Sequence, residues 1–145
     1  MTARDSHACD TELERSVCAE MRRQGVSHEH RSLRFRVAEE AGGTEDYRPA
    51  IVARRGSILF LVDSVESATD RDAIHRFSTF LEQHSPELVL VLMTTDDAVG
   101  RIPAEAYDEV YAASDVGKLT ARIRSQDPKG IIRPFEKPNP RDSTR

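Results

Sequence analysis

The stretch from Tyr47 to Ser67, YRPAIVARRGSILFLVDSVES, constrains the fold more than any other part of the chain. Ile58 to Val62 is five apolar residues in a row, bounded by Gly56 and by Asp63. Such a run suits a strand covered on both faces. Ala50 to Ala53 reads as a strand before it, and Arg54-Arg55-Gly56 reads as the tight turn joining the two. The apolar strand delivers Asp63 and Glu66 to its C-terminal end, where α/β proteins tend to place their chemistry.

The remaining elements are placed around this hairpin. Thr11-x-x-Glu14 matches a capping box, with Asp10 or Thr11 as the cap. Leu13, Val17, Cys18 and Met21 then give a helix one apolar stripe, and Gly25 closes it. From Arg31 to Val37, Leu33, Phe35 and Val37 alternate with Arg34 and Arg36, the pattern of a half-buried strand. Residues 41–46 read as a polar connection. A helix is expected from Asp70 to His84 on Ile74, Phe77 and Leu81, stopped by Ser85-Pro86. Leu88 to Met93, LVLVLM, is a second doubly covered strand. Pro103 opens a short helical turn, Glu109 to Ala112 is a short strand, and Ser114 caps a last helix carrying Val116, Leu119 and Ile123. The order predicts an α/β fold: a mixed central sheet of about five strands, an antiparallel meander followed by a βαβ unit, flanked by helices.

Residues 1–9 are read as a loose N-terminus, residues 10–126 as one α/β domain, and residues 127–145 as an extended tail. The tail is rich in proline and can dock only through Ile131, Ile132 and Phe135. A chain of 145 residues with 38% hydrophobic and 32% charged residues suits a single globular domain. Its net charge of −4 provides no general positive field, so a nucleic-acid contact requires a local basic patch. No apolar run is long enough to span a bilayer and no segment resembles a signal peptide, so a cytoplasmic protein is expected. Cys9 and Cys18 stand nine positions apart with no CxxC spacing, which signals neither a zinc knuckle nor a disulfide framework, and Cys18 reads as a small core residue.

With this element order, the segments GVSHEHRSLRFRV, YRPAIV and ILFLVDSV resemble the restriction-endonuclease-like superfamily, whose signature is written PD-(D/E)xK. The resemblance covers residues 10 to 125. It implies two carboxylates on adjacent strands sharing a magnesium or manganese ion, a lysine two positions after the second acid, and an acid on the first helix completing the metal shell. Glu14 matches the helix acid and Asp63 the second strand acid, which makes them the candidate metal ligands. Ala50 stands where the signature has its aspartate, and Val65 stands where it has its lysine. Neither side chain can hold an ion or move a proton. The resemblance therefore implies a degenerate nuclease domain, catalytically inactive, that works as a nucleic-acid- or protein-binding scaffold, alone, as a homodimer or within an assembly.

Two alternatives accompany this reading. In the first, an active metal-dependent nuclease uses relocated groups: Glu66 for the lost acid, and Arg71, His75 or Arg76 for the lost lysine. Arginine is a poor general base because it stays protonated. In the second, the chain is a small α/β regulatory domain of another superfamily, where Asp63 merely ends a strand; an all-parallel sheet would favour it over the other two readings.

Other groupings read more plainly. Arg34, Arg36, Arg54 and Arg55, with Arg31, form a basic nucleic-acid-binding patch if the strand edges align, but no interleaved aromatics suggest base stacking. His28 and His30 share one face of an extended segment at a spacing that can chelate zinc or copper, though no third ligand is evident nearby. Asp96-Asp97 reads as a turn or cap, and Tyr107 and Tyr111 as packing residues.

Overall fold

The computed structural model describes residues 8–84 and 87–127. Among these residues a five-stranded mixed sheet lies between two helical layers. The elements are α1 (Glu12–Gln24), β1 (Glu29–His30), β2 (Phe35–Ala38), β3 (Thr44–Tyr47), β4 (Ile51–Arg55), β5 (Ile58–Ser64), α2 (Arg71–Gln83), β6 (Leu88–Thr94), β7 (Glu109–Ala112) and α3 (Val116–Arg124). Single 3-10 turns at Ala104–Ala106 and Ala113–Asp115 precede β7 and α3.

The sheet runs β1-β4-β5-β6-β7. The pairs β1/β4 and β4/β5 are antiparallel, whereas β5/β6 and β6/β7 are parallel. The sheet is therefore mixed and not all-parallel. Helix α2 makes the crossover that a parallel β5/β6 pair requires.

The uninterrupted apolar strands are explained by what covers them. Successive side chains of a strand point to opposite faces. Ile58, Phe60 and Val62 of β5, with Val89, Val91 and Met93 of β6, pack against Leu13, Val17 and Met21 of α1 and Leu119 and Ile123 of α3. Leu59 and Leu61, with Leu90 and Leu92, face Phe77 and Phe80 of α2. Each central strand thus feeds two cores and has no polar face to spare. No described helix is long and apolar enough to cross a membrane.

The local signals for α1 hold. The Thr11 hydroxyl accepts from the Glu14 N–H at 3.1 Å, which identifies Thr11 as the cap. Gly25 takes the left-handed conformation at φ 77°, and the Val26 N–H bonds back to the Met21 carbonyl. In α2 the cap is Asp70, whose carboxylate accepts from the Ala73 N–H.

Several expected boundaries are corrected. The strand expected over Arg31–Val37 keeps its alternation, with Arg34 and Arg36 exposed and Val37 buried. It does not enter the main sheet, however. Phe35–Ala38 pairs with Thr44–Tyr47 in a separate two-stranded ribbon, so the second half of the supposed polar connection is itself a strand. The ribbon docks on α2 through Val37 and Tyr47. The edge of the main sheet is instead the two-residue strand β1. Arg54 and Arg55 belong to β4, paired with Leu59 and Ile58, and the turn is only Gly56-Ser57, with Gly56 at φ 60°. Ser114 caps nothing; its N–H donates to Asp96 within the 3-10 turn leading into α3. Ser85-Pro86 and the tail residues Ile131, Ile132 and Phe135 lie outside the described residues.

Candidate functional site

A cleft of about 440 Å³ opens at the C-terminal end of β5. It forms because β4 begins at Ile51, opposite Val62, so β5 runs past its partner and leaves Asp63 and Ser64 at an open corner. The first turn of α1 approaches from one layer and the β2–β3 ribbon from the other. Glu14, Arg31, Tyr47, Ala50, Asp63 and Arg76 line this corner. The two acids singled out from sequence therefore do come together, one from α1 and one from β5.

Neither carboxylate is available to a ligand in a simple way. Glu14 is buried, only 3% exposed. Its Oε1 accepts from the Asp10 N–H at 3.0 Å, and its Oε2 accepts from His30 Nδ1 at 2.7 Å. Arg31 Nη2 also donates to Glu14 Oε1, and the same nitrogen sits 2.9 Å from Asp10. Arg31 reaches this position from a left-handed backbone, φ 52°, uncommon for a residue with a Cβ. Its N–H is fixed to the Ala50 carbonyl at 3.1 Å.

Asp63 is held as firmly. The Tyr47 hydroxyl donates to Oδ2 at 2.7 Å and the Ser64 N–H to Oδ1 at 2.9 Å. Burial pushes its carboxyl up to about 6; hydrogen bonds from Tyr47, Ser64 and the Ala50 backbone pull the other way, and the Glu14 charge adds to the rise. The Tyr47 hydroxyl, buried beside that carboxylate, is raised well above the usual phenol range.

Ala50 lines the same cleft with a methyl group, and Val65 is 3% exposed within the core under α2. A divalent ion of the magnesium type needs several hard oxygen ligands. Two carboxylates already committed to internal donors, with a methyl group lining the same cleft, do not fit that requirement.

The proposed replacements are not assembled either. Glu66 and Arg71 are exposed and do not line the cleft; His75 is exposed and stands 4.0 Å from Glu39. Arg76 does line it, 4.0 Å from Glu45. Among the described residues no lysine lines the cleft.

The arginines expected to form a patch are divided between structures. Arg34 and Arg36 stand on the ribbon, Arg34 being 3.7 Å from Asp46. Arg54 is exposed on β4, while Arg55 is half-buried and its Nη2 donates to the Gln126 carbonyl. Arg31 is turned into the cleft.

Sequence reading missed Tyr47, Arg31 and His30 as members of this corner. It also missed the buried Glu109, which receives Arg122 Nε at 3.0 Å and the Tyr111 hydroxyl at 2.9 Å, with the guanidinium over the Phe60 ring. Asp96 lies in a turn, and its Oδ1 accepts from the Ser114 N–H at 3.0 Å. The expectation that no third ligand lies near His28 and His30 is wrong: Cys18 Sγ is 3.4 Å from His28 Nε2. Protein-family models give no match to this chain, and neither do the curated proteins.

Proposed function

We propose that the chain is a degenerate restriction-endonuclease-like domain that has lost phosphodiester hydrolysis and serves as a protein-binding scaffold. The observation that carries this reading is the state of the corner: Glu14 and Asp63 both hold internal hydrogen-bond donors, and Ala50 contributes only a methyl group where a third carboxylate would complete a metal shell. The mixed sheet, antiparallel through β1, β4 and β5 and then parallel, supports the superfamily assignment.

Charge favours a protein partner over nucleic acid. The cleft is lined by Asp10, Glu14, Glu45, Asp46 and Asp63 against Arg31, Arg48 and Arg76, and a phosphate backbone is repelled by a surplus of carboxylates. One feature favours an active enzyme: a carboxyl near 6 is suited to proton transfer at neutral pH. That single group still lacks a partner acid, and Arg76 cannot act as its base.

The test is incubation of plasmid, single-stranded DNA and RNA with magnesium or manganese, wild type beside Asp63→Ala. No cleavage by either folded protein, and no retardation of the nucleic acids at physiological salt, is expected. Metal-dependent cutting that vanishes in Asp63→Ala would overturn the reading in favour of a relocated active site.

A further inference from the structure

Behind the cleft, side chains with metal-binding atoms meet from three segments: Cys9, Cys18 and His30 form one group, and His28 adjoins it through Cys18. Cys9 lies just before α1, Cys18 is on α1 one turn beyond Glu14, and His28 and His30 lie at the entrance to and within β1. The ligand atoms of Cys9, Cys18 and His30 all lie within 4.8 Å of one another. His28 Nε2 is 3.4 Å from Cys18 Sγ, and the two imidazole centroids are 5.2 Å apart. In a tetrahedral zinc site with two sulfur and two nitrogen ligands, neighbouring donor atoms stand about 3.6 Å apart, from bond lengths of about 2.3 and 2.0 Å. His28 Nε2 and Cys18 Sγ already stand at about that separation, and the ligand atoms of Cys9, Cys18 and His30 lie within 4.8 Å of one another.

Both histidines are already turned the right way. His28 Nδ1 is 3.0 Å from the Val26 carbonyl, and His30 Nδ1 is 2.7 Å from the Glu14 carboxylate. Each acceptor holds the proton on Nδ1 and leaves Nε2 as the nitrogen carrying the lone pair. An imidazole ligand fixed through its other nitrogen by a carbonyl or carboxylate is the usual outer arrangement of a zinc site. Cys9 and Cys18 are thiols, not a disulfide. Soft sulfur with imidazole selects zinc over magnesium or calcium.

We propose that Cys9, Cys18, His28 and His30 bind one zinc ion that fastens the segment before α1 to the β1 edge of the sheet. On binding, each thiol releases its proton to solvent and bonds the ion as thiolate, while the two Nε2 lone pairs complete the tetrahedron. Nothing is oxidised or reduced. Two thiolates neutralise the ion, and Glu14 with Arg31 forms a neutral outer pair. Glu14, matched above to a catalytic acid, thereby becomes the positioning residue of a ligand histidine.

The experiment uses the full chain, reduced, stripped with a chelator, and titrated with zinc or with cobalt as a spectroscopic stand-in. About one metal per chain is expected, with the thiolate-to-cobalt charge-transfer absorption and strong visible bands of a tetrahedral site. Cys9→Ser, at the half-exposed ligand and so the mildest for folding, should weaken binding at least tenfold and remove part of the charge-transfer band. Glu14→Gln should weaken it about 10- to 100-fold by freeing the His30 ring. Absence of stoichiometric metal, a cobalt spectrum without the thiolate band, or wild-type affinity in Cys9→Ser would each overturn the site. So would a Cys9–Cys18 disulfide persisting under reducing conditions. Neither cysteine lines the cleft, so the metal-binding and Cys9→Ser outcomes are independent of the cleavage assay, whereas Glu14 belongs to both places.

Discussion

The Glu14 carboxylate meets His30 Nδ1 at 2.7 Å, with each side chain only 3% exposed. A buried charge with that many fixed donors ties α1, β1 and the Arg31 turn into one unit. Removing one member of a buried ionic network leaves its partners desolvated, which typically costs about 3 to 5 kcal/mol. Glu14→Ala should therefore lose roughly 3 kcal/mol in urea denaturation with chelator present. The exposed Glu12, paired with Arg15 on the surface, should lose far less as Glu12→Ala, because solvent screens that pair. Equal costs for the two would show that the Glu14 network contributes nothing special.

Asp63 makes stability depend on pH in a stated direction. Burial pushes its carboxyl up to about 6 from the ordinary 3.8, so the folded state holds the proton more tightly than the unfolded chain does. Stability from this group is greatest below about pH 4, falls as pH rises through the window to about 6, and stays reduced above it. The difference is on the order of 2 to 3 kcal/mol at most. Urea midpoints measured from pH 4 to 7 should show this slope in wild type, and Asp63→Asn should flatten it. An unchanged slope in Asp63→Asn would assign the effect elsewhere.

Restoring the signature residues should not restore an enzyme. Val65 is buried under α2 with Phe77 and Leu61, so Val65→Lys places an ammonium in an apolar layer. A loss of about 3 kcal/mol or more is expected from burying an unpaired charge. Ala50→Asp, at the cleft wall, should cost less than Val65→Lys. Thermal unfolding of the single variants, with cleavage assays on the double variant, checks both statements. A stable, active double variant would overturn both expectations.

Two glycines should respond to alanine with opposite signs. Gly25 sits at φ 77° with open space around its Cβ position, so Gly25→Ala costs about 1 kcal/mol through backbone strain alone. Gly117 is helical, and a Cβ there would meet only Glu20 Oε2 at 3.6 Å, an ordinary contact. Gly117→Ala should add about 0.5 to 1 kcal/mol. Chemical denaturation of the two variants side by side decides the signs.

The local elements were legible because their signals are local. Thr11 and Gly25 bracket α1 through hydrogen bonds and a backbone angle that span a few residues, and the double coverage of Ile58–Val62 follows from five apolar side chains in a row. Strand partnership was less legible. The alternation of Phe35 and Val37 announces a strand equally well in a main sheet or in a ribbon. Only the pairing of Phe35 with Tyr47, made while Val37 and Tyr47 pack against α2, decided between them.

Local signals in the chain account for the two apolar strands, the caps of α1 and the apolar side chains at positions 50 and 65. Packing of distant segments decided that Glu14 is spent on His30 and Arg31, that Tyr47 holds Asp63, and that Cys9, Cys18 and His30 group together with His28 beside Cys18. The physical reason is distance along the chain. Sixteen positions separate Glu14 from His30 and also Tyr47 from Asp63, and no periodicity of helix or strand reports contacts made when α1 closes on the sheet edge.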